Sequence, residues 1–162
     1  HWDERAMGFF LAGVGVATMI VSGTLVHPIV RQCGERRALL VGLACGAMGF
    51  ALYGLGPSGA IAVLAIPIQA FWGLSGPAAQ ALMTGRVAPS QQGRLQGAIS
   101  SLTGIAGLIG PALFTLTFAY FIGISPPVVL PGAPFLLAAL LLVASIALAW
   151  RVTNVPSGHQ AP

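Results

Sequence analysis

The sequence has no lysine, and it has little charge of any kind. Charged side chains make up 6% of its 162 residues, and the net charge of +4 comes from seven arginines against three acidic residues. Soluble domains carry about a quarter charged residues, so a chain that is 56% hydrophobic, with a mean hydropathy of +0.89, could not clothe a water-facing surface. The seven arginines are scattered between long apolar runs and form no basic stripe, which excludes a nucleic-acid partner. Cysteine is nearly absent too. Cys33 and Cys45 stand twelve residues apart without CxxC spacing, so neither a disulfide framework nor a metal site is expected. Cys45 reads as a small core-filling side chain. The opening "HWDERAMG" lacks a basic leader and a short apolar run, so it is not a signal peptide. It does not start with methionine, and the chain reads as a fragment or as one half of something longer.

What is present is apolar sequence in runs. The charge-free stretches 6–30, 38–85 and 95–150 hold 25, 48 and 56 residues. A bilayer core needs about 20 apolar residues per helix, so the first stretch fits one span and the other two fit two each. "GLGPSGA" at 54–60 and "GISPPVVLPGAP" at 123–134 are the breaks inside the longer runs, because Gly and Pro end helices. The expected spans are 6–29, 38–56, 60–83, 95–122 and 133–150. Together they form one bundle over 1–150, with a tail over 151–162. They must be helices, since an apolar backbone in lipid has to satisfy its own hydrogen bonds and no short alternating barrel strands occur. The fold class is all-α, integral membrane, with five transmembrane helices.

Four of the ten charges crowd into "RQCGERRALL", residues 31–40. Span parity explains this. One span, then two, then two puts residues 31–37, 84–94 and 151–162 on one side, with Arg31, Arg36, Arg37, Arg86, Arg94 and Arg151 against Glu35 alone. The other side holds Asp3, Glu4 and Arg5. Arginine bias of this kind marks the cytoplasmic face, so the chain should begin outside and end inside an inner (plasma) membrane. Trp2, Tyr53, Tyr120 and Trp150 fall near the expected interfaces, as belt aromatics do.

No Asp, Glu, Lys or Arg lies within a span. His27, beside Pro28, reads as an interfacial histidine at a helix end. The third span is the most polar. Gln69, Gly73, Gly76 and Gln80 recur at spacings of four, three and four, which places them on one face of a regular helix. Trp72 borders that face, and Pro77 should interrupt the helix in its inner half. Glutamine in hydrocarbon needs a partner or a wet cavity. The group is therefore either interhelical glue or the wall of a substrate cavity. The fourth span carries Gly97, Ser100, Ser101, Gly104, Gly107, Gly110 and Pro111, and the second carries the pair Gly42 and Gly46. Small-xxx-small spacing lets helices approach closely, either as static packing or as surfaces that slide or bend beside a proline. No metal-ligand cluster, nucleophile–base pair or phosphate loop is present. The chain reads as neither an enzyme nor a holder of a cofactor, metal or catalytic group.

Three stretches carry a resemblance. "GERRALLVG" at 34–42 resembles the cytoplasmic turn motif of the major facilitator superfamily in its second-half copy. "GLSGPAAQALMTGRVAPSQQGRLQGAISSLTGIAGLIGPALFT" at 73–115 resembles the tenth and eleventh helices of tetracycline-exporter-like drug:proton antiporters, chiefly through "QQGRLQG" and "IGPALFT". "HWDERAMG" resembles the outer entry to the eighth helix. The resemblance covers about 1–120 of the chain. It implies helices eight to twelve of a twelve-helix fold whose first seven helices belong to a missing N-terminal part. It also implies alternating access by two rocking halves, with the third span lining the cavity and Gly34, Glu35, Arg36 and Arg37 in the cytoplasmic gate turn. Arginine there can bond exposed helix-end carbonyls. The sequence departs from the pattern at two places. Exporters of this kind carry an acidic residue in the ninth helix, where this chain has Gly46, and a histidine in the eighth, where it has Thr18. The implied function is proton-coupled efflux of drug-like or lipophilic small molecules. The alternatives are a permease of the same fold for another metabolite, or a scaffold or decayed half that transports nothing.

Overall fold

The protein is seen in a computed structural model that describes residues 4–20, 23–24, 26–56, 59–123 and 130–154. Trp2 and Asp3, parts of both expected outer turns (57–58 and 124–129) and the tail from 155 lie outside the described residues. Among the described residues every regular element is a helix: α1 (Glu4–Ile20), α2 (Val26–Cys33), α3 (Glu35–Leu55), α4 (Gly59–Ala70), α5 (Ser75–Thr84), α6 (Gln92–Ile122) and α7 (Ala133–Thr153). Short 3-10 turns lie at Phe71–Leu74 and Pro89–Gln91. Glu35–Leu55, Pro89–Ile122 and Ala133–Thr153 are long and apolar enough to cross a bilayer. The chain has an all-α membrane fold. Five of its hydroxyls show how such helices stay satisfied without water. Thr18, Ser101, Thr103, Thr117 and Ser145 each donate to the carbonyl four residues back, so none is left bare in lipid.

The structure divides the third expected helix. In the first stretch α1 and α2 are described, with Pro28 in α2, and residues 21, 22 and 25 between them lie outside the described residues. The third is α4, a 3-10 turn and α5. The break falls just before Pro77 rather than at it. Pro77 sits in the first turn of α5 and has no N–H to offer the carbonyl of Gly73, so the backbone tightens upstream of it. By contrast, α6 runs unbroken through Pro111. At a rise of 1.5 Å per residue its 31 residues extend about 46 Å. That exceeds a bilayer core of about 30 Å, so the polar start, "QGRLQG", can reach headgroup level.

Helix α3 is the hub, packing along α7 on one side and along α4 and α5 on the other. The chain turns from α2 into α3 at Gly34, whose φ of 81° is open to glycine at little cost. Its N–H closes α2 on the Val30 carbonyl at 3.0 Å, and its carbonyl accepts from Ala38 at 3.1 Å. The buried core consists almost wholly of alanine, at Ala38, Ala47, Ala65, Ala70, Ala78, Ala133 and Ala139, with Leu39 and Leu74. Small side chains bring helices close enough for dispersion to act where lipid removes the hydrophobic drive. The start of α3, the end of α5 and the end of α7 meet at one end of the molecule, where Val30, Leu82 and Ala149 pack around Ala38, Leu39 and Ala78.

Candidate functional site

Three glycines on α3 form a track for the broken helix. A Cβ at Gly42 would lie 2.8 Å from the Ser75 nitrogen, and one at Gly46 would lie 2.8 Å from the Trp72 indole. A Cβ at Gly49 would run into the Gln69 carboxamide. Positions 42, 46 and 49 recur at helical spacing on one face. The sequence pattern pointed to the first pair, and the third member was missed. Gln69 is thus turned onto α3. Its side-chain oxygen is buried without a hydrogen-bond partner among the described residues, a condition that costs about 1–3 kcal/mol. Trp72, 40% exposed, meets Phe50 edge-on at 5.4 Å, and Phe50 continues to Phe135 at 6.4 Å. An aromatic row therefore joins the 3-10 turn, α3 and α7.

The expected polar face is split. Gly76 and Pro77 are exposed, and a Cβ at Gly76 would meet nothing within 4 Å. Gly73 and Gln80 are half-buried. The cause is the 3-10 turn. It advances about 120° per residue instead of about 100°, so four such residues rotate α5 by about 80° relative to a regular helix. Gln69 and Trp72 face α3, while Gly76 lies off that direction.

At the turn between α2 and α3, Arg36 reaches across to α7. Its Nε donates to Thr153 Oγ1 at 2.9 Å, and its terminal nitrogen donates to Asn154 Oδ1. Its guanidinium carbon lies 4.9 Å from the centroid of the Trp150 ring. Thr153 Oγ1 in turn donates to the Ala149 carbonyl at 2.6 Å. The cation sits at the negative end of the α7 dipole, where it is favoured. Arg36 belongs to the expected gate turn. Its bonds are made to side chains at the end of α7 within the same chain. Gly34, Glu35 and Arg37 are exposed, and neither Glu35 nor Arg37 bonds a described residue. The sequence offered Trp150 as a belt aromatic and carried no signal for Thr153 or Asn154.

The expected packing face of the fourth span finds no partner here. A Cβ at Gly97, Gly104, Gly107 or Gly110 would meet nothing within 4 Å, Pro111 is exposed, and α6 has no buried residue. These glycines and Pro111 do not pack against the chain's own described helices. The reason is placement: α6 touches α7 and α5 only sparingly.

Comparison with known proteins gives a consistent picture. A family model described as Major Facilitator Superfamily matches residues 1–162. The class G tetracycline resistance protein of Vibrio anguillarum is 32% identical over 119 residues, which is 74% of this chain and 30% of that protein. The class B protein of Escherichia coli is 32% identical over 117 residues, covering 72% of this chain and 29% of its own length. The Hippocampus abundant transcript-like protein 1 of Homo sapiens is 27% identical over 154 residues, 86% of this chain and 30% of that protein. The chain thus spans about 30% of the length of the curated relatives it matches. No solved structure matches.

Proposed function

Because this chain belongs to the major facilitator superfamily, we propose that it is part of a secondary active transporter that exports drug-like or lipophilic small molecules in exchange for protons. The observation that carries this reading is the likeness to tetracycline resistance proteins over about three quarters of the chain. The expected topology agrees with it. Helices α1 with α2, α3, α4 with α5, α6 and α7 serve as five spans, beginning outside and ending in the cytoplasm, and a further seven helices complete the transporter. The α4–α5 element lines the cavity with Trp72, Gly73, Gly76 and Gln80, and alternating access moves this bundle against the other half. Gln69, whose side-chain oxygen lies buried against Gly49 of α3, joins the cavity wall when α4 moves away from α3 during the transport cycle.

The cargo need not be tetracycline. A carboxylate at position 46, where exporters of that kind carry one, would collide with the Trp72 ring. The likeness to Hippocampus abundant transcript-like protein 1 over 86% of the chain keeps a different cargo as the second reading. The test uses inverted membrane vesicles from cells expressing the complete coding sequence, with uptake of a lipophilic fluorescent cation as the readout. Competition by hydrophobic drugs but not by sugars or amino acids supports the exporter. Competition by a metabolite alone favours the second reading.

A further inference from the structure

Between α2, the start of α3 and the end of α5 lies an open cavity of about 560 Å3, lined by Val30, Arg31, Gly34, Glu35, Arg36 and Leu82. Its depth in the bilayer follows from α3. That helix has 21 residues, about 30 Å of rise, which matches the hydrocarbon thickness and puts its first residue at headgroup level. Glu35 offsets one of the two arginines in the cavity wall, Arg31 and Arg36, and leaves one net positive charge there. Arg31 is exposed and makes no hydrogen bond or ion pair with a described residue, and the same holds for Glu35 and Arg37. Arg36 is engaged by α7, but its partners there are a hydroxyl, an amide and an indole, none of which carries a compensating charge. Arg36 and Arg37 also stand at the positive end of the α3 dipole, where cations are disfavoured. The cavity wall is amphipathic, with the charged Arg31, Glu35 and Arg36 beside the apolar Val30 and Leu82.

We propose that this cavity binds the headgroup of an anionic phospholipid. The phosphodiester is held by Arg31, and the glycerol and upper acyl carbons lie against Val30 and Leu82. A guanidinium presents a planar fork matched to two phosphate oxygens, and basic pockets between transmembrane helices are the places where lipid headgroups of this charge are recognised. The assignment depends on the cavity alone. It stands independently of the transported substrate and of which leaflet the end faces.

The test uses the full chain in detergent micelles seeded with equal phosphatidylglycerol and phosphatidylcholine, with retained lipid read by native mass spectrometry. The chain should retain phosphatidylglycerol about fivefold over phosphatidylcholine. Arg31→Gln should abolish the preference. Arg31→Lys, which keeps the charge and loses the fork, should retain part of it. Arg94→Gln, at an exposed position on α6, should leave it intact. The proposal is overturned if Arg31→Gln keeps the preference, or if Arg94→Gln loses as much of it. It is also overturned if inorganic phosphate strips the lipid, which would mark a free-anion site, or if zwitterionic phosphatidylethanolamine is held as well as phosphatidylglycerol.

Discussion

Replacing Arg36 by alanine should loosen α7 from α3. The guanidinium donates to Thr153 and Asn154 and stacks on Trp150, 4.9 Å from the ring centroid. Hydrogen bonds from a charged donor contribute about 1.5–3 kcal/mol each in sheltered settings, and an exposed cation–π contact contributes about 0.5–1 kcal/mol. Trp150 is 54% exposed and Arg36 is half-buried, so screening reduces these values and their overlap makes them sub-additive. A net loss of about 2 kcal/mol is expected. For a chain of this size that corresponds to a fall of about 4–8 °C in melting temperature. The half-buried Cys45 gives the assay. On a Cys33→Ser background, a thiol-reactive dye reports when α3 comes free of its neighbours on heating. Arg36→Lys keeps the charge without the planar fork and should fall between wild type and alanine. The double variant with Trp150→Ala should show coupling of about 0.5–1 kcal/mol. An Arg36→Ala chain that melts within about 1 °C of wild type would refute the clamp.

Four further outcomes are expected from the same geometry. Gly46→Val drives a side chain into the Trp72 indole and should cost about 1–3 kcal/mol, seen as a lower melting temperature, whereas Gly104→Ala meets open space and should leave the melting of this chain unchanged. Gly49→Ala should displace the Gln69 side chain from its seat on α3, read as a changed Trp72 emission in a chain whose other tryptophans are replaced by phenylalanine. Gln69→Leu removes the unpaired buried oxygen, so the chain should be as stable as wild type or more so, while apparent substrate affinity in the complete transporter falls; unaltered affinity across several drugs would make Gln69 a packing residue only. Cys33, exposed beside the arginine turn, should react with a membrane-impermeant maleimide in inverted vesicles and not in intact spheroplasts, and the reverse pattern would invert the proposed topology.

The membrane class was plain in the sequence because charge is excluded from long stretches, and lipid tolerates no other arrangement. The grouping of the three arginine-bearing segments came from parity, and in the structure the start of α3, the end of α5 and the end of α7 do gather at one end. The 3-10 turn at Phe71–Leu74 was harder to read. Pro77 signalled trouble, but a proline in a first turn disturbs the residues before it, and the resulting rotation moved Gly76 away from Gln69. The alignment of Gly42, Gly46 and Gly49 was available from spacing alone. The reach of Arg36 to Thr153 and Asn154 was not, because 117 residues separate Arg36 from Thr153 and nothing in local pattern links one helix start to a distant helix end. The glycines of α6 were legible as a close-approach surface, yet no described helix of this chain takes it up.

Proton exchange is the claim on which the account turns, and it can be measured in inverted vesicles made from cells expressing the complete coding sequence. Respiration acidifies the lumen, and a pH-sensitive dye then follows the gradient. Addition of a lipophilic drug substrate should dissipate the gradient in step with drug uptake, and collapsing the gradient beforehand should stop the uptake. Drug uptake that proceeds at full rate without a proton gradient, or a gradient indifferent to every drug tried, would contradict the account.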